Sequence, residues 1–383
     1  MSYFHFDIYS KQSSKKPGNP CGDAFNIFRD EISTTIVLSD GIGSGIKANI
    51  AANLCVARIL GLLKHGATLR EAFTSLVHTM NKAWGTTEPF AVFSVVRILN
   101  TGDVTVLSYE IPAPVIVTKM NARILSDRTY TLEKAIISES SAQLEPGEGI
   151  LLVSDGITQA GLGNGLINGW EIDGVARHIK NHLFKNLVSD QTMVDSIHKK
   201  AVDLWGKKAG DDCTAVFIKS RKGITVNILT GPPVNMKNDT DIVKNFIQNE
   251  GHKIVCGGST AKMAARELGK KITVNMDNTS AISPPSYKIK GLDLVTEGVV
   301  TLNQVYNIID ENPEDITNKT DVISLAEMLQ MSDRVVFFTG EAKNIGDEAI
   351  EFRQQGILPR KKIIELLSQK LISMGKLVIH HSS

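Results

Sequence analysis

Two apolar runs, more than a hundred residues apart, end in the same way: Ile36-Val37-Leu38-Ser39-Asp40-Gly41-Ile42 returns as Leu151-Leu152-Val153-Ser154-Asp155-Gly156-Ile157. An apolar run without polar alternation is the pattern of a strand covered on both faces, and an ionised Asp at its end costs free energy unless a cation compensates it. A third acidic site, Gly210-Asp211-Asp212-Cys213-Thr214, precedes another apolar run from Ala215 to Ile218. The fold must therefore carry carboxylates on buried strands and neutralise them, and a shared metal would do so. Asp-Gly is also an ordinary turn dipeptide. Glycine after each Asp is expected to let the chain turn sharply and to bring a backbone carbonyl close to an ion.

At 383 residues the chain exceeds one ordinary core, and two domains are expected, 1–222 and 223–383, divided at the polar link Ser220-Arg221-Lys222-Gly223. Strands are expected at Phe4 to Tyr9, Ala24 to Arg29 and Thr34 to Leu38. A helix pair follows, Ile46 to Leu63 and, from an N-cap at Thr68, a second helix to about Trp84. Ala91 to Leu99, Val104 to Ile111, Pro114 to Lys119 and Gly149 to Val153 read as an antiparallel meander, and helices Trp170 to Leu187 and Gln191 to Trp205 precede the last strand. Sheet and helix are segregated, which makes the first domain α+β. Trp84, Trp170 and Trp205 read as core anchors.

Beyond the link, strand and helix alternate: Ile224 to Leu229, Asp241 to Asn249, Lys253 to Cys256, Ala261 to Leu268, Ile272 to Asn275, Leu292 to Thr296, Leu302 to Ile309, Val322 to Leu329 and Arg334 to Thr339. A helix from Lys361 to Ser373 and a strand from Lys376 to His380 close the pattern. This is a smaller α/β domain with a mainly parallel sheet. Gly257, Gly258, Ser259 and Thr260 fall between a strand and a helix, where backbone N–H groups would suit a small anionic ligand; a tight turn with Ser or Thr as N-cap explains them without any ligand and is the favoured reading. Gly231-Pro232-Pro233 and Thr339-Gly340-Glu341 suggest a shared crevice at the carboxyl edge of that sheet, and His380-His381 reads as a solvated tail.

Several carboxylates without His or Cys suit Mg²⁺ or Mn²⁺ and disfavour zinc. Two such ions would activate water and neutralise a phosphoryl group during in-line displacement. Gly22-Asp23-Ala24, Asp40-Gly41-Ile42-Gly43-Ser44-Gly45, Ser154-Asp155-Gly156-Ile157 and Asp211-Asp212-Cys213-Thr214 resemble, in order, the motifs of metal-dependent protein serine/threonine phosphatases of the 2C type, and within them the bacterial SpoIIE-like branch. The resemblance covers about residues 1–220 and implies a two-sheet β-sandwich flanked by helix pairs, α-β-β-α. It implies that Asp40 bridges two metal ions, that Gly41 gives its carbonyl to one, that Asp155 and Asp211 bind the other, and that Asp23 holds metal-bound water. Asp212, facing the opposite way on an extended backbone, would be supporting.

Two departures stand out. Where eukaryotic phosphatases of this type usually place an Arg to clamp phosphate, this chain has Lys15 and Lys16, mobile point charges instead of a bidentate fork. Ile42 stands where many relatives carry His. Lower intrinsic activity, or dependence on a protein substrate for alignment, is the expected consequence. The helix pair after Asp40 resembles the movable regulatory helices of that branch, and core packing accounts for it as well.

The expected activity is hydrolysis of phosphoserine or phosphothreonine on a bacterial regulatory protein, with an anti-sigma-factor antagonist as the implied partner. The alternatives are a weakly catalytic signalling or scaffold module governed by the second domain, and a hydrolase of small phosphoesters. A net charge of +1 without basic runs argues against nucleic acid and anionic membranes. No signal peptide or uninterrupted membrane-length apolar stretch is evident, and four dispersed cysteines form no C-x-x-C pair, so a cytoplasmic protein with reduced thiols is expected. Whether it forms a homodimer stays open.

Overall fold

The computed structural model describes residues 3–83, 90–133, 135–184, 189–206, 210–275, 286–311, 320–342 and 356–382. The chain separates into two compact units, one spanning Phe4–Lys222 and the other Gly223–Ser383 together with the amino-terminal Tyr3.

The first unit begins with β1 (Phe4–Ser13), β2 (Asp23–Arg29) and β3 (Ser33–Gly41), then α1 (Ile46–Lys64) and α2 (Leu69–Ala83). Strands β4 (Ala91–Leu99), β5 (Asp103–Tyr109), β6 (Val115–Val117), β7 (Ala122–Ile124), β8 (Asp127–Leu132), β9 (Ala135–Gln143) and β10 (Gly149–Val153) follow. The unit ends with α3 (Asp155–Thr158), α4 (Glu171–Phe184), α5 (Asp190–Trp205) and β11 (Cys213–Lys222). A six-stranded sheet runs β2-β3-β4-β5-β9-β8, a five-stranded sheet runs β1-β11-β10-β6-β7, and neighbouring strands in both are antiparallel.

The apolar runs are explained by what covers them. Along β3, Ile36 and Leu38 point into a core shared with Ile150, Leu152, Val216 and Ile218 of the second sheet, whereas Val37 points to the layer of α1 and α2. Along β10, Ile150 and Leu152 enter the inter-sheet core while Leu151 and Val153 meet α4 and α5. Both faces are apolar because both are covered, which gives four layers, helices on two stacked sheets on helices. Fully burying one such side chain contributes roughly 1.5–3 kcal/mol.

Thr68 and Glu71 close the start of α2 as a capping box: the Thr68 backbone N–H donates to Glu71 Oε2 at 2.8 Å and the Glu71 N–H to Thr68 Oγ1 at 3.3 Å. Helix α1 has 19 residues and an 18-residue window of mean hydropathy 1.5, long and apolar enough to cross a membrane by length and composition. Its Ala48, Ala51, Ala52, Cys55, Val56, Ile59 and Leu60 are buried within the unit, 39% of that window being buried, while Ile46, Ile50 and Leu54 are exposed. Helix α4 begins at Glu171, one residue after Trp170; the expected helix ends at Trp84 and Leu187 lie outside the described residues. The expected single meander is not what forms: β4 and β5 pair in the six-stranded sheet, β6 and β10 pair in the five-stranded one, and β7, β8 and β9 are additional strands.

In the second unit the order is β12 (Thr225–Thr230), α6 (Asp239–Gln248), β13 (His252–Cys256), α7 (Gly258–Leu268), β14 (Ile272–Asn275), β15 (Ser286–Ile289), β16 (Leu294–Thr296) and α8 (Val299–Ile308). Then come α9 (Asp321–Met331), β17 (Arg334–Thr339), α10 (Arg360–Ser373) and β18 (Leu377–Ser382). Its sheet runs β14-β15-β16-β13-β12-β17-β18, parallel from β16 to β18 and antiparallel at the β14-β15 end. One face packs on α8, α9 and α10 and the other on α6 and α7. His380 and His381 belong to β18, with the His380 ring stacked on Phe337 at 5.3 Å; both are exposed, as expected, but they form part of a strand and not a loose tail.

Candidate metal centre

The alternation that buries Leu38 also aims the first carboxylates. Asp40 lies two residues beyond Leu38 on β3 and is the register partner of Asp23 on β2, so both occupy the inter-sheet side at one end of the sandwich. Thr214 on β11, two residues before Val216, reaches the same place, and its hydroxyl donates to Asp23 Oδ2 at 2.6 Å. Gln12 Nε2 donates to Thr214 Oγ1 at 2.9 Å and to the Asp23 carbonyl at 3.1 Å. Asp23 is only 2% exposed, and its Oδ1 has no hydrogen-bond partner among the described residues.

Asp155 arrives differently. It is the first residue of α3, separated from β10 by Ser154 alone, and its carboxyl lies within hydrogen-bonding reach of Asp40. Asp211 stands just before β11; its Oδ1 accepts from the Asp212 backbone N–H at 3.0 Å and is 3.5 Å from Lys15 Nζ. Asp212 is buried, and its Oδ1 accepts from the Lys15 backbone N–H at 2.8 Å, which ties the loop before Asp23 to the loop of Asp211. The structure thus brings Asp23, Asp40, Asp155 and Asp211 together, adds Lys15 at their edge, and leaves Lys16 exposed.

The two Asp-Gly glycines owe their place to crowding. Neither Gly41 nor Gly156 has a positive φ, so the expected sharp turn is not their reason. A Cβ on Gly41 would lie 2.0 Å from the Ala48 carbonyl oxygen of α1, and one on Gly156 would lie 2.0 Å from the Asp212 carbonyl oxygen. Each glycine lets another backbone close over the site.

Without a cation these groups resist ionisation. Burial, then Asp23 and Asp155, push the Asp40 carboxyl far above the usual range. Burial also raises Asp23, opposed by hydrogen bonds from Thr214 and Ser154, and raises Asp155, with Asp211 adding to the shift. Divalent cations would reverse that penalty, and the orphaned Asp23 Oδ1 and the all-oxygen donor set fit hard ions such as Mg²⁺ or Mn²⁺. Among the described residues no three His, Cys, Asp or Glu side chains form a ready-made metal cage. Mg²⁺ does not require one, because it commonly binds through one or two carboxylates and keeps several waters.

Sequence reasoning missed three supporting groups. Thr214 and Gln12 buttress Asp23, and Thr214 was visible only as the tail of an acidic motif. Trp205, expected as a core anchor, donates its indole N–H to the Gly156 carbonyl at 2.9 Å. Trp170 does pack beside the core under α4 and α5, and Trp84 lies outside the described residues.

In the second unit, Gly257 (φ 124°) is the N-cap of α7 and no side chain caps the helix, so neither Ser259 nor Thr260 serves as N-cap. Thr260 is buried and its Oγ1 accepts from the Gly231 backbone N–H at 2.9 Å; Ser259 is exposed, and space is open over Gly258. A cavity of about 710 Å³ is lined by Thr339, Gly340, Glu341, Arg360, His380 and His381 among others. Neither Gly231-Pro232-Pro233 nor Gly257–Thr260 lines it, yet the loops do meet at the carboxyl edge of the sheet: Gly231 bonds Thr260, and the Ala342 N–H donates to the Pro232 carbonyl at 3.1 Å.

The sequence model of the family described as Stage II sporulation protein E (SpoIIE) matches residues 30–221. No curated protein matches the chain. Among solved structures, the chain is similar to the PP2C phosphatase domain and regulatory-domain fragment of SpoIIE from Bacillus subtilis, at 16% identity and a TM-score of 0.48, covering 58% of this chain and 65% of that one. It is similar to the RsbU and RsbW domains of a Mycobacterium tuberculosis protein, at 16% identity and a TM-score of 0.47, covering 64% and 68%. RsbX in complex with magnesium is 15% identical with a TM-score of 0.40, covering 57% of this chain and 96% of that one.

Proposed function

The chain belongs to the SpoIIE family of PP2C-like phosphatases, and from that premise we propose that it hydrolyses phosphoserine or phosphothreonine on a bacterial regulatory protein. The observation that carries this reading is the convergence of four carboxylates, Asp23, Asp40, Asp155 and Asp211, at one end of the inter-sheet core. In this reading Asp40, the Gly41 carbonyl, Asp155 and Asp211 hold two Mn²⁺ or Mg²⁺ ions. Bound there, the ions would activate water and neutralise charge on the phosphoryl group. Asp23, fixed through Oδ2 by Thr214, presents Oδ1 to take the proton of the attacking water. Lys15 offers a single positive charge at the edge of the site, suited to steering phosphate without fixing its orientation.

Ile42, 55% exposed, follows Asp40-Gly41 directly, and Ile46 is exposed at the start of α1. An apolar rim favours a protein chain over a small phosphoester as substrate, and a phosphorylated anti-sigma-factor antagonist is the partner class we assign. We place the protein in the cytoplasm, a setting in which its dispersed cysteines would stay reduced. The second unit would sense a ligand or dock a partner. In a Mn²⁺ assay with a phosphopeptide and a small phosphoester side by side, the phosphopeptide is expected to be the better substrate, and Asp40→Asn and Asp155→Asn to lose ~10²-fold or more of the rate. Equal rates in wild type and both variants would sink the metal-site assignment. A better rate on the small phosphoester would transfer the activity to that substrate class.

A further inference from the structure

The indole of Trp205 lies where two acidic loops meet. It is the last residue of α5, its N–H donates to the carbonyl of Gly156, the residue after Asp155, at 2.9 Å. The ring lies flat against Gly210, the residue before Asp211: a Cβ there would be 2.4 Å from Trp205 Cγ and 2.6 Å from Cδ1 and Cδ2. Cys213 completes the junction, with Sγ 3.3 Å from both the Gly156 and the Asp211 carbonyl oxygens. The loops themselves touch, since a Cβ on Gly156 would meet the Asp212 carbonyl at 2.0 Å and Asp211 Cβ at 3.2 Å. One side chain, held by a 16-residue helix, therefore contacts the backbone next to each of two carboxylates that enter from different elements.

We propose that Trp205 is a positioning residue that sets the separation of Asp155 and Asp211, and through it the affinity for the divalent cation these two would share; the inference rests on the metal-centre reading above. An indole that served only as core filler would need an acceptor somewhere for its N–H. Here the acceptor is the carbonyl oxygen of Gly156, the residue after Asp155, and the ring meets Gly210, the residue before Asp211. A ring without the donor would keep the packing on Gly210 and release the Asp155 loop. Groups that orient metal ligands without touching the ion commonly govern affinity by 10–100-fold.

The test is Mn²⁺ titration calorimetry on the full chain, with thermal melting in EDTA beside it. Trp205→Phe is expected to melt in EDTA within a few degrees of wild type while its Mn²⁺ Kd rises about tenfold. The Mn²⁺ concentration for half-maximal phosphatase activity should shift equally, with the rate restored at saturating Mn²⁺. Gly210→Ala, which presses the indole from its other side, carries the same expectation and serves if Trp205→Phe does not fold. An unchanged Kd in the folded variants overturns the inference, as does a lower rate that saturating Mn²⁺ fails to restore. Asp155→Asn separates the two levels of failure. If it binds Mn²⁺ like wild type, the metal-centre reading falls and this inference with it; if it loses Mn²⁺ while Trp205→Phe keeps it, only the positioning role falls.

Discussion

Asp23, Asp40 and Asp155 hold protons in the metal-free fold that an unfolded chain would release, because burial and mutual repulsion raise their carboxyls. The folded state then binds more protons than the unfolded one above the ordinary carboxyl range of about pH 4, so stability falls as pH rises through that window. In EDTA the melting temperature is expected to drop between about pH 5 and pH 8, and Mn²⁺ should flatten or reverse that slope by favouring the ionised forms. Parallel slopes with and without Mn²⁺ would count against a cation at these groups. Gly156→Ala tests the crowding at the same scale. Its Cβ would meet the Asp212 carbonyl at 2.0 Å, a contact that only backbone movement relieves. A loss of about 1–3 kcal/mol in urea denaturation in EDTA is expected, together with weaker Mn²⁺ binding.

At the scale of elements, α1 carries a glycine that its surroundings do not demand. Gly61 lies inside the helix, has no positive φ, and a Cβ there would meet nothing within 4 Å. Gly61→Ala should therefore stabilise the protein by about 0.5–1 kcal/mol, read as a higher urea midpoint at unchanged m-value. The elements differ in how plainly the sequence announces them. Strands β3 and β10 are legible because cover on both faces leaves unbroken apolar runs, Ile36 to Leu38 and Ile150 to Val153, and α2 is legible from the reciprocal Thr68 and Glu71 cap. Strand β8, Asp-Arg-Thr-Tyr-Thr-Leu, is exposed along nearly its whole length, and only its pairing with β9 makes it a strand. The site follows the same division. Carboxylates at the ends of apolar runs stand out, whereas Gln12 and Trp205 act through bonds to residues far along the chain, and local pattern carries no trace of that.

At the scale of the whole molecule, every group of the candidate centre lies within Phe4–Lys222. A fragment of residues 4–222 is expected to melt cooperatively and to bind Mn²⁺ with the affinity of the full chain, by calorimetry; a fragment that is folded but does not bind would show that the centre depends on residues outside it. The ends of this unit form the first rung of one ladder, Phe4 opposite Lys222, with β1 at the edge of its sheet and β11 beside it. Tension applied at those two ends would act across the strands, and it would load the hydrogen bonds of the ladder one pair after another instead of all ten registered pairs together. A unit whose ends leave on the same rung is thus built to be peeled open from its edge strand at low force, even though the same strand pair resists shear along its length.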